Sequence, residues 1–253
     1  MKILLSPAKS INENQQIKDI HSFPVFKKEA KDIVKKIKHL TSNDLQELMH
    51  ISKDLADLNV KRFKDWKSAE VDTDRRLQVA FAFSGEVYRG LDFTTFNENE
   101  LFLANEKIRI LSGLYGILKP FDLIYPYRLE MGTSFSPKEE QKNLYEFWGA
   151  KVTIALQKEL SKNEVLVNLA SNEYAKVIQF EKLKNRVITP VFKEFKNGRF
   201  SIVMMYAKHA RGAMARYLIQ NELDSIEELQ LYAIDGYSFD MNQSNENEWV
   251  FVR

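Results

Sequence analysis

The chain has 253 residues, 44% of them hydrophobic, and its 37 basic and 35 acidic side chains give a formal net charge of +2. That is enough to bury a sizeable core, and the near-balance of charge excludes binding to nucleic acid by bulk charge, so any anion-binding surface has to be local. The absence of cysteine excludes a thiol peroxidase, a thiol-based redox sensor and any disulfide framework.

Residues 2–5 form a short apolar run stopped by Ser6-Pro7, the pattern of a strand closed by proline. The run is too short for a signal peptide, and no window approaches the roughly 18 apolar residues of a membrane span, so a cytoplasmic protein without membrane contact is expected. Residues 26–40 show helical spacing, with Ile33, Ile37 and Leu40 on one side and a solvated lysine face on the other. Thr41-Ser42-Asn43-Asp44 is an N-cap cluster for a helix over 45–50, and Ser52 caps the next, which carries Leu55, Leu58 and Phe63. Residues 77–83 read as a strand, 97–107 as a helix and 108–111 as extended chain.

Residues 143–160 read as one helix, with Leu144, Phe147, Trp148, Val152, Ala155 and Leu156 at helical spacing. A buried strand over 165–169 and a short helix over 172–180 follow. Segments 187–195 and 199–206 flank Asn197-Gly198, the strongest two-residue hairpin signal in the chain. Helices over 207–221 and 225–229 precede terminal strands over 234–240 and 249–252. No Pro/Gly/Ser-rich linker divides the sequence, so one mixed α+β domain over residues 1–253 is expected, with a central β-sheet and surrounding helices.

Three predicted strands end in polar clusters: Ser6-Pro7-Ala8-Lys9, Ala170-Ser171-Asn172-Glu173 and Tyr206-Ala207-Lys208. If these ends converge they line one site; alternatively Ser171 and Asn172 only cap a helix. The helix after Tyr206 has an apolar face of Ala210, Ala213, Met214, Tyr217 and Leu218, with Lys208, His209, Arg211 and Arg216 opposite it. Arginine suits bidentate phosphate contacts, and Gly212 and Ala213 would let a ligand or chain approach; the alternative is a solvated face. Arg128-Leu129-Glu130 places opposite charges on one face of an extended segment, either an anion grip with its orienting carboxylate or a structural ion pair. Gly113 and Gly116 interrupt an apolar run that ends in Lys119-Pro120, a pattern that suits an anion-binding turn. The four histidines, His21, His39, His50 and His209, have no metal-ligand spacing, so neither a metal nor another cofactor is expected.

Taken in order, Ile3-Leu4-Leu5-Ser6-Pro7-Ala8-Lys9, the segment Ser112 to Pro120, Pro126-Tyr127-Arg128-Leu129-Glu130-Met131-Gly132, the segment Asn168 to Tyr174, and Tyr206-Ala207-Lys208 with Arg211-Gly212 resemble the bacterial YaaA family. The resemblance spans the chain. It implies a cytosolic role in surviving hydrogen peroxide, a one-domain α+β fold and DNA binding through a helix–hairpin–helix element. In that element Ser112, Gly113, Gly116 and Lys119 would form the hairpin, although residues 108–111 read as extended and Pro120 limits a following helix.

Two readings stand. The first is a monomeric protein that binds double-stranded DNA with little sequence preference, through Lys9, Lys119, Arg128, Lys208, Arg211 and Arg216 in one basic cleft. The second is an enzyme acting on a phosphorylated or nucleotide-like small molecule there, with Glu130 or Glu173 as acid or base and Ser171 or Asn172 as positioning groups. A third, weaker reading is a partner-binding protein that limits peroxide damage by affecting iron.

Overall fold

A computed structural model describes residues 1–15, 17–68, 74–223 and 225–253. Its centre is an eight-stranded mixed sheet. The strand Lys2–Leu5 lies between Ile108–Ser112 and Leu166–Asn168 and runs parallel to both. Val187–Lys196 continues the sheet parallel to Leu166–Asn168, and Glu248–Val252 runs parallel to Val187–Lys196. Antiparallel strands close the array: Gly116–Leu118 at one edge, Ser238–Phe239 at the other, and Arg199–Ser201 against the far end of Val187–Lys196. All four residues of Lys2–Leu5 are buried, as a strand covered on both faces must be. The α+β expectation holds, with more parallel pairing than the Asn197-Gly198 hairpin alone suggested.

Local chemistry sets several boundaries. The helix Ser42–Met49 begins with a capping box in which Thr41 and Asp44 satisfy each other's backbone amides, and Asn97 and Glu100 do the same for Glu98–Lys107. Asn197 and Gly198 both hold positive φ, as the hairpin turn requires.

Several predicted elements differ; the strand expected over 234–240 is only Ser238–Phe239 after a 3-10 turn Ile234–Gly236, and the helix expected over 172–180 is only Asn172–Ala175 before a 3-10 turn Phe180–Lys182. The single helix expected over 143–160 is two, Leu144–Trp148 and Lys151–Glu159, because Gly149 adopts φ 47° and ψ −127° and turns the chain. The strand expected over 77–83 is Leu77–Gln78, a helical turn Val79–Ala82 and Phe83–Ser84. The amides of Val79 and Ala80 donate to the carbonyls of Asp122 and Pro120, and an apolar run this short does not distinguish a buried turn from a strand. The strand expected over 199–206 stops at Ser201, and the helix Met204–Gln220 starts earlier than its sequence signal. Among the described residues no helix is long and apolar enough to cross a membrane.

Candidate functional site at the carboxyl ends of the parallel strands

From Lys2–Leu5 the sheet extends to both sides, with Ile108–Ser112 on one flank and Leu166–Asn168, later in the chain, on the other. The chain crosses over the central strand between them. Such a reversal leaves a crevice beyond the carboxyl ends of the strands, where open sheets commonly hold ligands. Ser6 follows Leu5 at this point. Its hydroxyl accepts the backbone amide of Ser171 at 2.8 Å and donates to the Ser171 hydroxyl at 3.2 Å. Ser171 occupies the N-cap position of Asn172–Ala175, yet its side chain makes no capping bond and meets Ser6 instead. The phenol of Tyr88 donates to the Ser6 carbonyl at 3.0 Å.

Charge gathers beside this junction. Glu130 receives the Arg128 guanidinium at 2.8 Å and the Lys9 ammonium at 2.9 Å, one on each carboxylate oxygen. Lys9 remains 61% exposed, whereas Arg128 is mostly covered and its Nε is buried without an acceptor. Glu173 accepts the exposed Gly132 amide through Oε1 at 3.1 Å, and its backbone carbonyl takes the Tyr145 hydroxyl at 2.7 Å. Burial holds the phenols of Tyr88, Tyr127 and Tyr174 well above the ordinary tyrosine range, and the nearby carboxylates of Glu173 and Glu130 raise Tyr174 further. All three stay neutral, and Tyr88 is thereby kept as the donor to the Ser6 carbonyl.

Arg211 and Lys208 come from the helix Met204–Gln220, which crosses Glu86–Leu91, the helix that carries Tyr88. The crossing is backbone against backbone: a Cβ on Gly212 would stand 1.8 Å from the Val87 carbonyl oxygen, and one on Gly90 2.2 Å from that of His209. Gly212 therefore admits the protein's own helix where the sequence suggested a ligand. Among the described residues Arg211 has neither an ion pair nor a hydrogen bond, although it is largely covered; burial alone pulls its guanidinium below the usual arginine range. Lys208 is exposed.

Among the described residues no hydrogen bond or ion pair joins Lys208 or Arg211 to the Ser6–Ser171 junction, and the other predicted site residues are held as follows. Ile108–Ser112 and Gly116–Leu118 are paired antiparallel strands, so this segment is a β-hairpin and the expected helix–hairpin–helix does not form there. Ser112 is fully buried, with its hydroxyl on the Tyr127 phenol at 2.6 Å. Gly113 packs against the Leu129 carbonyl and accepts the Trp148 indole N–H at 3.0 Å. Gly116 takes φ 71° beneath the Trp148 and Phe26 rings. Lys119 follows the returning strand to the opposite end of the sheet, beside Arg109, Asp122 and Glu159. Arg216 donates to the carbonyls of Leu91 and Asp92, both at 3.2 Å, and to the Thr95 hydroxyl at 2.6 Å, closing the end of Glu86–Leu91. With Arg216 half-buried on these partners and Ile219 buried, the helix lacks the continuous basic face the sequence suggested.

Sequence reasoning missed Tyr88, Gly132 and Tyr145, which had no local signal because their partners are distant in the chain. The two helices expected after Thr41 and after Ser52 are present. Ser42–Met49 and Lys53–Asp65 are joined by three residues, with His50 in the left-handed region at φ 51°. Among the described residues no group of three or more His, Asp or Glu side chains is arranged to hold a metal ion.

Comparison with known proteins places these features in a family. The family described as peroxide stress protein YaaA matches residues 1–243. A UPF0246 protein of Flavobacterium johnsoniae is 47% identical over 254 residues, covering 100% of both chains. UPF0246 proteins of Shewanella oneidensis and Marinomonas sp. (strain MWYL1) are each 43% identical, covering 100% of this chain and 99% and 97% of theirs. The chain belongs to the YaaA family of peroxide stress proteins.

Proposed function

We propose that the protein serves the peroxide stress response by binding a small phosphorylated molecule at the carboxyl ends of the parallel strands. The observation that carries this reading is Arg211, a largely covered guanidinium with no partner among the described residues. A buried cation without a counter-ion is costly, and an arriving phosphate relieves that cost through charge-assisted hydrogen bonds. Lys9 and Arg128 add positive charge that Glu130 balances in the free protein. Glu173, with Oε1 on the Gly132 amide, is the carboxylate best placed to move a proton. Thermal melting in inorganic phosphate, pyrophosphate and a panel of phosphorylated metabolites tests the reading. At least one should raise the melting temperature of the wild type and not of Arg211→Met; no response from any of them counts against it.

One observation favours DNA as a second reading. The helical pair Ser42–Met49 and Lys53–Asp65 presents its short turn and exposed Lys53 to solvent, a geometry that offers helix-end amides to a phosphate backbone. Asp54 and Asp57 beside that turn oppose phosphate, which ranks this reading second. Anisotropy titrations with unrelated duplexes at two salt concentrations decide it: backbone binding falls steeply with salt and depends little on sequence.

A further inference from the structure

We propose that the cleft between the helix Lys53–Asp65 and the strand Leu77–Gln78 is a second ligand site, one that takes a small phosphate ester of nucleotide size. Its volume is about 480 Å³, within the range of small-molecule pockets. Leu58, Lys61, Arg62 and Asp65 share one face of the helix and form one wall; Arg75, Arg76 and Leu77 form the other. Among the described residues that line it, four cations meet three carboxylates, those of Glu13, Asp65 and Asp74.

The ion pairs among the described residues do not use all of that positive charge. Arg62 holds Glu13 at 2.6 Å, and Arg75 holds Asp65 at 2.7 Å. Lys61 is exposed and senses Asp65 without pairing to it, and Arg76 has no acidic partner among the described residues. The Nε groups of both Arg62 and Arg76 are buried without an acceptor. Lys61 and Arg76, supplied by different elements and neither held by an acidic partner among the described residues, suit an anion with several oxygens. A tetrahedral phosphate offers three, and a planar carboxylate only two. Ile17, Leu58, Tyr125 and Pro126 give the rest of the cavity an apolar lining, which suits the carbon skeleton of an ester better than a free inorganic anion.

This cleft shares no lining residue with the Ser6–Ser171 junction. The two are linked through the chain, since Lys9 and Glu13 lie on one segment and Pro126 and Arg128 on another. The proposal therefore stands independently of the strand-end reading.

Isothermal titration with AMP and with ribose 5-phosphate tests it, using the wild type, Arg76→Gln, Lys61→Gln and Arg211→Met. At least one ester should bind the wild type about 10-fold more tightly than inorganic phosphate. Arg76→Gln should weaken that binding by about 10-fold or more, the loss expected for a charge-assisted contact, while Arg211→Met retains it. If Arg76→Gln does not fold, Lys61→Gln decides, because that side chain is exposed. The assignment is overturned if neither ester binds, if inorganic phosphate binds equally well, or if both cleft variants bind like the wild type. Binding lost only in Arg211→Met places the ester at the strand ends and removes it from the cleft.

Discussion

The Ser6 hydroxyl accepts the Ser171 backbone amide at 2.8 Å across 165 residues of sequence. The bond fixes the chain leaving Lys2–Leu5 against the chain leaving Leu166–Asn168, and it holds the two walls of the crevice at a set spacing. Ser6→Ala removes both the acceptor for that amide and the bond to the Ser171 hydroxyl. We expect a loss of about 1–2 kcal/mol in chemical denaturation, since the amide is left without its partner. Unchanged stability would mean that the strand ends are held by the sheet alone.

The helix crossing gives a sterically driven prediction. Gly212→Ala puts a methyl group on the Val87 carbonyl, and Gly90→Ala puts one on that of His209. Neither obstacle is a flexible side-chain tip. Each variant should lose about 1–3 kcal/mol or more in urea denaturation, with a larger effect at Gly212, where the approach is closer. Wild-type stability in both would show that the two helices separate freely.

Core and site separate within one helix. Met214 is fully buried, so Met214→Ala should destabilise the fold by about 2–5 kcal/mol. Arg211→Met removes a covered charge that has no partner among the described residues, so its stability should be unchanged or raised by about 1 kcal/mol. Paired denaturation curves check this, and a large loss in Arg211→Met would assign the arginine a structural role.

Acid should loosen the capped helix ends. The Asn97 amide and the Gln220 side chain hold the Glu100 carboxyl below its usual value of 4.5, and the Thr41 bonds hold Asp44 below 3.8. Both folded-state values are depressed, so the stabilisation is present above the unfolded values and is lost as pH falls through the folded ones. Denaturation midpoints at pH 7 and pH 3 should differ less in Glu100→Gln than in the wild type. An equal difference would show that the capping carboxylate does not contribute.

Much of the framework was legible because its causes are local. Thr41 with Asp44, Asn97 with Glu100, and Asn197-Gly198 each carry their geometry in neighbouring residues. The break at Gly149 was not legible, because helical spacing continues on both sides and only the burial of Trp148 against the Gly113 carbonyl shows why the chain turns. Gly113 and Gly116 were read as open to a ligand, yet tertiary packing covers them with Leu129 and Trp148. Arg216 looked like Arg211 in sequence. What distinguishes them is the Leu91 and Asp92 carbonyls, more than 120 residues away, which bind Arg216, whereas Arg211 has no partner among the described residues. The polar clusters at Ser6–Lys9 and Ser171–Glu173 were legible as candidates, but their junction depends on strand order.

The proposed function turns on Arg211 receiving an anionic ligand at the strand ends. Its most direct test is titration of the wild type and Arg211→Met with the phosphorylated compound that most raises the wild-type melting temperature, followed by calorimetry at constant ionic strength. We predict saturable binding to the wild type and affinity at least about 10-fold weaker in Arg211→Met, with the variant at least as stable as the wild type. Equal affinity in the two proteins would remove Arg211 from the ligand site.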